Sequence, residues 1–503
     1  MVRTALISFL TNSINTRLLS SYLKHNGHDA TCYFFPVSSN DRNLKALVGH
    51  LRDQQVSLIG ISLVTDDYYS AVVVTQAIKK ELGIPVIWGG AHVNVRPDEC
   101  LRHADMICRG EGENALLELV QKLSETGTID TTIRNIWFSH NGAIIKNELR
   151  ALEEVLDKYP FPDFDLGSQY VMDDKGFTAL NEKHMKGEYS IMTSRGCPYS
   201  CRYCYNNYRR QHYEGKGKYL RTRSIENVIQ ELTLAKKVFR DLRQVNFWDD
   251  SFVARPLADF EAFRDLYKKE IDLPFFALIE PMAFNRDKIK LLRDSGLTSL
   301  QVGIQTGSER INREVYNRQV SNASVLAMAQ SLHDLGIEVI YDIIFNNPYE
   351  THADLSETIS LLHSFPRPFL VQGFNLIFYP GTALTEKALK DGYITAKDDT
   401  EDFSTIEGKS DSPVKMMGSA EISSRFYSIN YSSKKKKYLN AVIALMAYRY
   451  VPRSFTRYFG AAETPFKRIL MKLFTRFYHL GVVAVAPWYA YRANQNKSSN
   501  KRS

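Results

Sequence analysis

The sequence predicts an α/β protein in three parts: a doubly wound parallel sheet, a second run of strand–helix units with a barrel-like rhythm, and a helical C-terminal region. Three observations carry this. Apolar strand-like runs alternate with amphipathic helices over residues 1 to 127 and again from 188 to about 390, which is the rhythm of parallel βαβ units. Between the two blocks lies a stretch holding Pro160, Pro162 and scattered acids, a linker composition. At the head of the second block, Cys197, Cys201 and Cys204 follow an apolar run with the spacing C-x3-C-x2-C. The expected boundaries are 1–147, 148–187, 188–395 and 396–503.

With 503 residues, 44% hydrophobic and 24% charged, the chain is long enough for several domains and ordinary in composition for a globular protein. Six cysteines in such a length do not make a disulfide framework, and free thiols suit a reducing compartment. The N-terminus, MVRTALISFL, reads as a first strand rather than a signal peptide. No run reaches the ~18 apolar residues of a spanning helix; the longest candidate, Leu480 to Tyr491, is broken by Pro487. A cytoplasmic protein is expected. The net charge of +8 is unevenly placed: residues 434–503 hold 15 Lys and Arg against the single acid Glu463, so the preceding 433 residues carry −6.

In the first block the expected strands are Thr4 to Phe9, Ala30 to Phe35, Leu58 to Leu63, Val86 to Trp88 and Met106 to Cys108, with helices such as Asn15 to Asn26 and Tyr69 to Leu82 between them. Ligands of doubly wound sheets sit at the carboxyl ends of the strands. Those ends carry Ser62, Val64 and Thr65, then Gly89, Gly90 and His92, then Gly110 and Glu111. A double glycine lets backbone approach a flat ligand closely. There is no G-x-G-x-x-G after the first strand, which excludes a dinucleotide fingerprint. Cys32, Cys100 and Cys108 read as small buried hydrophobes. Asn135 to Lys146 reads as a hairpin turning at Asn141-Gly142.

The second block opens on EYSIMTSRGCPYSCRYCYNN, residues 188 to 207. Three thiolates from one short loop suit a soft-metal site. A zinc knuckle would want a fourth Cys or His at its own short spacing, and no cysteine follows Cys204. An iron–sulfur cube takes four thiolates, so three would leave one iron open. Further strands are expected at Gln244 to Trp248, Phe275 to Ile279, Ser299 to Ile304, Glu338 to Phe345 and Gly373 to Tyr379. Residues 421–493 look helical. Within them, Phe466 to Leu480 segregates Phe466, Ile469, Leu470, Leu473, Phe474 and Phe477 from Lys and Arg, the pattern of a helix lying on a membrane surface or packing with a solvated basic face.

The cysteine loop, with Tyr203 one residue before the third cysteine, resembles the cluster loop of the radical S-adenosylmethionine (SAM) enzymes. The resemblance implies a 4Fe–4S cluster on Cys197, Cys201 and Cys204 whose open iron chelates SAM and cleaves it reductively to a 5′-deoxyadenosyl radical. The phrases GHDAT, IGISLVT, VIWGGAHVNVRPDECL and ADMICRGEGENALLEL resemble the cobalamin-binding domain that precedes the radical core in one large subfamily. Together they imply a Rossmann-like cobalamin-binding domain followed by a partial (β/α)6 TIM-type barrel. SAM contacts are then expected at Tyr203, Asp249, Asp250, Gln305, Arg318 and Asn346. Cobalamin contacts are expected at Ser62, Val64, Thr65, Gly89, Gly90, His92, Gly110 and Glu111. The chain departs from cobalt-ligating domains in lacking D-x-H-x-x-G after the first strand, where residues 10–15 contain no histidine.

The implied activity is a cobalamin-dependent methyltransferase moving methyl from methylcobalamin to an unactivated carbon. Oxidative cyclisation or rearrangement by the same cofactors is the alternative, and an iron–sulfur redox sensor a distant one. A small-molecule or lipid-like substrate, an electron donor such as flavodoxin or ferredoxin, no nucleic acid, and a peripheral membrane contact through the tail complete the expectation. If the triad alone ligates the cluster, a Cys32/Cys100/Cys108 triple alanine variant, reconstituted anaerobically, will keep about four irons per chain by colorimetric iron assay; loss of that iron refutes the assignment.

Overall fold

The computed structural model describes residues 2–11, 13–37, 39–140, 142–173 and 176–397, with isolated positions between 427 and 464. Its first half is a nine-stranded sheet. The parallel core consists of β1 (Arg3–Ser8), β2 (Asp29–Phe34), β3 (Leu58–Ser62), β4 (Val86–Gly89) and β5 (Met106–Cys108). Two antiparallel hairpins flank it, β6 (Ile136–His140) with β7 (Ala143–Lys146), and β8 (Gln169–Asp173) with β9 (Gly176–Ala179). The strand order is β7-β6-β5-β4-β3-β1-β2-β8-β9. Central strands such as β1, whose Thr4 to Ser8 are all buried, are apolar on both faces because helices cover both. Those helices carry their own stop signals. Ser13 and Asn40 cap the starts of Ile14–His25 and Asp41–Asp53, and left-handed Gly83 and Gly127 close Tyr68–Leu82 and Glu113–Thr126. Strand order reverses between β1 and β3, which places a crevice at their carboxyl ends.

The second half opens with β10 (Glu188–Ile191), followed by a two-stranded clip of β11 (Ser194–Arg195) and β12 (Arg221–Thr222) around the cysteine loop. Five more strands follow: β13 (Gln244–Phe247), β14 (Phe275–Ile279), β15 (Leu297–Gln305), β16 (Glu338–Phe345) and β17 (Leu370–Asn375). With β10 they form a parallel sheet in the order β10-β13-β14-β15-β16-β17. The two end strands do not pair, so the sheet is curved but open. Alternate residues (Val245, Phe247, Phe275, Ala277, Leu300, Val302, Val339, Tyr341, Ile343) are buried against the outer helices in one continuous core. Their neighbours in sequence therefore face the inner side.

Two expected elements differ. Residues 169–179, read as linker, extend the first sheet, with β8 running parallel to β2. The last barrel strand runs from 370 to 375 rather than 373 to 379. Leu376 N still donates to the Phe345 carbonyl of β16 at 2.8 Å, while the Leu376 and Phe378 side chains join Ile311, Tyr316 and Leu384 in a cluster apart from the barrel core. Among the described residues no helix is long and apolar enough to cross a membrane. The expected basic amphipathic helix, 466–480, lies outside the described residues.

Candidate active site

The cysteine loop leaves the barrel at the end of β10, and its three cysteines are unpaired thiols. Cys197 and Cys201 are each 8% exposed and Cys204 is half-buried. Burial pushes all three thiols up, Cys204 to about 11, with Cys204 adding to the rise at Cys197 and Cys201 to that at Cys204. Three soft donors that cannot ionise unaided match a cationic cluster, whose charge would take the protons' place. Among the described residues, no three His, Cys, Asp or Glu are arranged to hold a single metal ion. Tyr203 stands edge-on to Tyr316 at 4.9 Å, and its hydroxyl meets the Cys201 thiol. It supports the loop from behind.

The barrel's strand ends sort the expected SAM contacts. Asp250 faces Cys197 and Cys204 closely enough to raise both. Asp249 does not face them. It is 1% exposed, and one carboxylate oxygen accepts from Thr193 N (2.9 Å), Thr193 Oγ1 (2.9 Å) and Ser194 Oγ (2.5 Å), with Arg255 bonded to the same Thr193. Those bonds lock the turn after β13 to the approach of the cysteine loop. Arg318, 1% exposed, donates to the Ile304 and Gly303 carbonyls (3.0 and 2.5 Å). Its charge is what pulls Cys201 and Tyr203 downward against burial. Gln305 (φ 68°) and Asn346 (φ 60°) both take the left-handed conformation at strand ends. Asn tolerates it well, so Asn346 keeps the turn a glycine would make, and it bonds Asn375 on the neighbouring strand at 2.6 Å.

A carboxylate not expected from the sequence joins them. Glu280, directly after β14, accepts from Ser251 Oγ at 3.2 Å. Burial, with Asp250 adding, pushes its carboxyl up to about 7, and it in turn raises all three thiols. The rule that function collects at strand ends points to this position.

In the first sheet the crevice opens as a cavity of about 310 Å³. Ser62, Gly89, Gly90, Gly110 and Glu111 line it at the strand ends, and Met192, Ser194, Arg195, Tyr205 and Arg209 line it from the other half. Gly90 sits at φ +105°, where a Cβ would collide with the Leu63 carbonyl. Below, the cavity continues as an apolar slot between Leu6, Gly60 and Ile87 of the sheet and Leu19 and Leu116 of the covering helices. A Cβ on Gly60 would come within 2.8 Å of Leu6 Cδ2. Small residues at the strand ends, where backbone can approach closely, together with apolar side chains deeper in the lining, suit a flat macrocycle such as a corrin.

Four expected cobalamin contacts are corrected or narrowed. His92 is wholly buried; its Nδ1 lies 3.2 Å from Thr65 Oγ1 and its Nε2 3.8 Å from Glu99, and no histidine lines the cavity. Thr65, 5% exposed, is spent on that histidine. Val64 is exposed on the loop but stands outside the cavity lining. Glu111 lines the cavity yet is held by three arginines of the other half. These are Arg221 (2.5 and 3.1 Å), Arg195 (3.1 Å) and, more distantly, Arg209 (3.8 Å). Arg195 also pairs with Glu113. Around this junction the Tyr213 hydroxyl accepts from Glu111 N (2.9 Å), Tyr208 donates to the Asn94 carbonyl (2.9 Å), and Asn94 Oδ1 accepts from Gly110 N (2.8 Å). The RGEGE phrase is thus as much a docking element as a ligand loop.

Fold and site together define an enzyme with two cofactor stations: a strand-end cavity suited to a macrocycle, and a cysteine loop suited to an iron–sulfur cluster whose flanking residues Ser194, Arg195 and Tyr205 line that cavity. Known families agree with both halves. The B12 binding domain family matches residues 2–120 and the radical SAM superfamily residues 191–362. An uncharacterized methyltransferase of Pyrococcus horikoshii is 26% identical over 338 residues, covering 66% of this chain and 69% of that protein. The fold is shared with the radical SAM methyltransferase TsrM of Kitasatospora setae, solved with tryptophan and a SAM analogue (TM-score 0.65, 14% identity, 80% of this chain and 79% of that one). It is also shared with the cobalamin-dependent radical SAM enzyme OxsB (TM-score 0.67, 14% identity, 95% and 71%). The chain belongs to the radical SAM superfamily, among the members that carry an N-terminal cobalamin-binding domain.

Burial pushes the Glu111 carboxyl up, but Arg195, Arg221 and Arg209 overcome it and hold it at about 2, below its ordinary 4.5. A carboxylate depressed on folding stabilises fully above its unfolded pKa and loses that contribution as pH falls through the folded one. The expected outcome is a thermal midpoint that falls between pH 4.5 and 2 more steeply in the wild type than in Glu111→Gln, measured by circular dichroism. Equal slopes would refute the junction's role.

Proposed function

We propose that this chain is a cobalamin-dependent radical SAM methyltransferase acting on an unactivated carbon of a small molecule. The observation that carries this is the shared cleft: one cavity is walled by the Gly89-Gly90 strand end on one side and by Ser194 and Arg195, which lead into the cysteine loop, on the other. When bound, the cluster and corrin supply SAM cleavage and methyl delivery. The protein's part is placement. Cys197, Cys201 and Cys204 hold the cluster, and Asp250 or Glu280 receives the ammonium of SAM by charge. Ser62, Gly89, Gly90 and Gly110 would seat the macrocycle, and the Glu111 junction ties its cavity to the strands around the cysteine loop.

An electron donor of the flavodoxin or ferredoxin type suits the cluster loop. The basic segment 434–493 suits an anionic membrane surface, each Lys or Arg contributing ~1 kcal/mol near the headgroups, with the enzyme in the cytoplasm. If so, full-length protein will co-sediment with phosphatidylserine-containing liposomes at low salt and release at high salt; indifference to the vesicles at low salt removes the membrane reading.

Methylation by this route consumes two SAM molecules for each product. Incubation of reconstituted enzyme with SAM, cobalamin and reductant is expected to give 5′-deoxyadenosine and S-adenosylhomocysteine together, in equal amounts once substrate is supplied. Liquid chromatography reads both. 5′-Deoxyadenosine without S-adenosylhomocysteine would instead indicate cyclisation or rearrangement.

A further inference from the structure

One buried carboxylate on the inner face of the curved sheet has no part in any of this. Asp342 lies in the middle of β16, EVIYDIIF. Alternation along that strand buries Val339, Tyr341 and Ile343 against the outer helices, so Asp342 points inward. It is 8% exposed. Both of its oxygens take their contact from a single donor, Gln301 Nε2, at 3.0 and 2.8 Å. No described cation faces it, and burial, opposed only by Gln301, pushes its carboxyl up to about 6.

A carboxylate offers about four acceptor positions, and leaving most of them unmet in a buried place is costly. Chains tolerate such a cost at functional sites. Its register neighbour on β15 is Gly303, over which the Gln305 side-chain amide folds, and its neighbour on β17 is Gln372, which is exposed, so the open approach to the carboxylate lies on the β17 side. The same inner face carries aromatic surface that the fold leaves open. Trp248 is 44% exposed, its ring 5.6 Å from Phe276 and its Nε1 donating to Ser190 Oγ at 3.1 Å. Phe374, two residues beyond Gln372 and therefore on the same side, is 42% exposed.

We propose that Asp342 anchors the substrate by accepting a hydrogen bond from an ammonium or hydroxyl group, with the substrate's apolar part lying along the inner face toward Trp248 and Phe276. The assignment rests on the proposed methyl transfer to a small molecule and places that molecule against the inner face of the open sheet. It makes Asp342 a specificity-determining residue and gives the substrate class: a small molecule with one hydrogen-bond donor beside an uncharged, apolar body. Gln301 is then a positioning residue that holds the carboxylate toward the lumen.

The test uses full-length protein and three probes of one shape, 2-phenylethylamine, 2-phenylethanol and ethylbenzene, titrated by calorimetry. At least one donor-bearing probe is expected to bind wild type tenfold or more tightly than ethylbenzene, roughly the worth of one hydrogen bond to a charged group. The better of the two shows whether the donor is an ammonium or a hydroxyl. In Asp342→Leu the advantage is expected to vanish while ethylbenzene binding stays within about twofold, since a site built for a donor discriminates through that one group. Should Asp342→Leu fail to fold by circular dichroism, Asp342→Asn decides, with the better probe's advantage falling several-fold. Equal affinities in wild type, no binding of any probe, or an advantage that survives both substitutions overturns the proposal. SAM turnover plays no part in the measurement, so its failure leaves methyl transfer standing, and failure of methyl transfer leaves it readable.

Discussion

The geometry of this molecule hangs on a carboxylate that cannot stand alone. Glu111 is nearly buried at the meeting of the two halves, and burial without partners would drive it to protonate or to leave. Arg195 and Arg221 come from the two strands of the clip around the cysteine loop, and Arg209 from the helix that follows the loop. All three belong to the frame of the cysteine loop, while Glu111 belongs to the strand-end loop that floors the cavity. Seating the carboxylate therefore seats the two cofactor stations against each other. Asn94 adds a neutral tie, joining the loops after β4 and β5 to Tyr208. A second charged tie lies behind. Arg17, wholly buried in the first helix, stacks over Phe164, Tyr189 and Phe239 and donates to the Asp163 carbonyl. The halves are held at the front by ion pairs and at the back by a cation over aromatic rings.

Much of this was legible in the sequence, and the reasons differ by element. The parallel strands announce themselves because both faces are buried, leaving short unbroken apolar runs such as LISFL and LIGISL. The cysteine loop is legible because three thiols at that spacing have few other uses. The hairpin at 169–179 was not legible. It sits amid prolines, acids and glycines, and only its pairing with β2 reveals it as strand. The end of the last barrel strand was misplaced because Leu376 and Phe378 are as apolar as any strand residue. Their side chains instead join a cluster with Ile311 and Tyr316, some sixty residues away, beyond the last paired residue Asn375.

At the site, residue type was easier to read than residue partner. Asp249 and Asp250 are adjacent and chemically identical, and only the course of the turn after β13 separates the one bonded to Thr193 and Ser194 from the one that faces the thiols. His92 follows a double glycine, a position suggestive of a ligand, yet Thr65 and Glu99 claim it. Glu111 was expected to touch the macrocycle; no sequence rule reports that three distant arginines converge on it. Glu280 and Asp342 went unremarked for opposite reasons. Glu280 occupies a place where strand ends advertise function, and Asp342 hides in the middle of an apolar strand, where a charge is itself the signal.

The open sheet has a further bearing on how such a protein diversifies. A closed barrel has its diameter dictated by strand number and stagger, so a larger guest demands a different barrel. Here β10 and β17 carry no mutual hydrogen bonds, and the width between them is a matter of side chains and neighbouring segments. The wall opposite the thiols can be recontoured, one edge residue at a time, without disturbing the packed outer helices or the arginine junction. The cysteine loop springs from one free edge, β10, and the other, β17, borders the strand that carries Asp342, so the gap between the edges lies between the thiols and the face proposed for the guest.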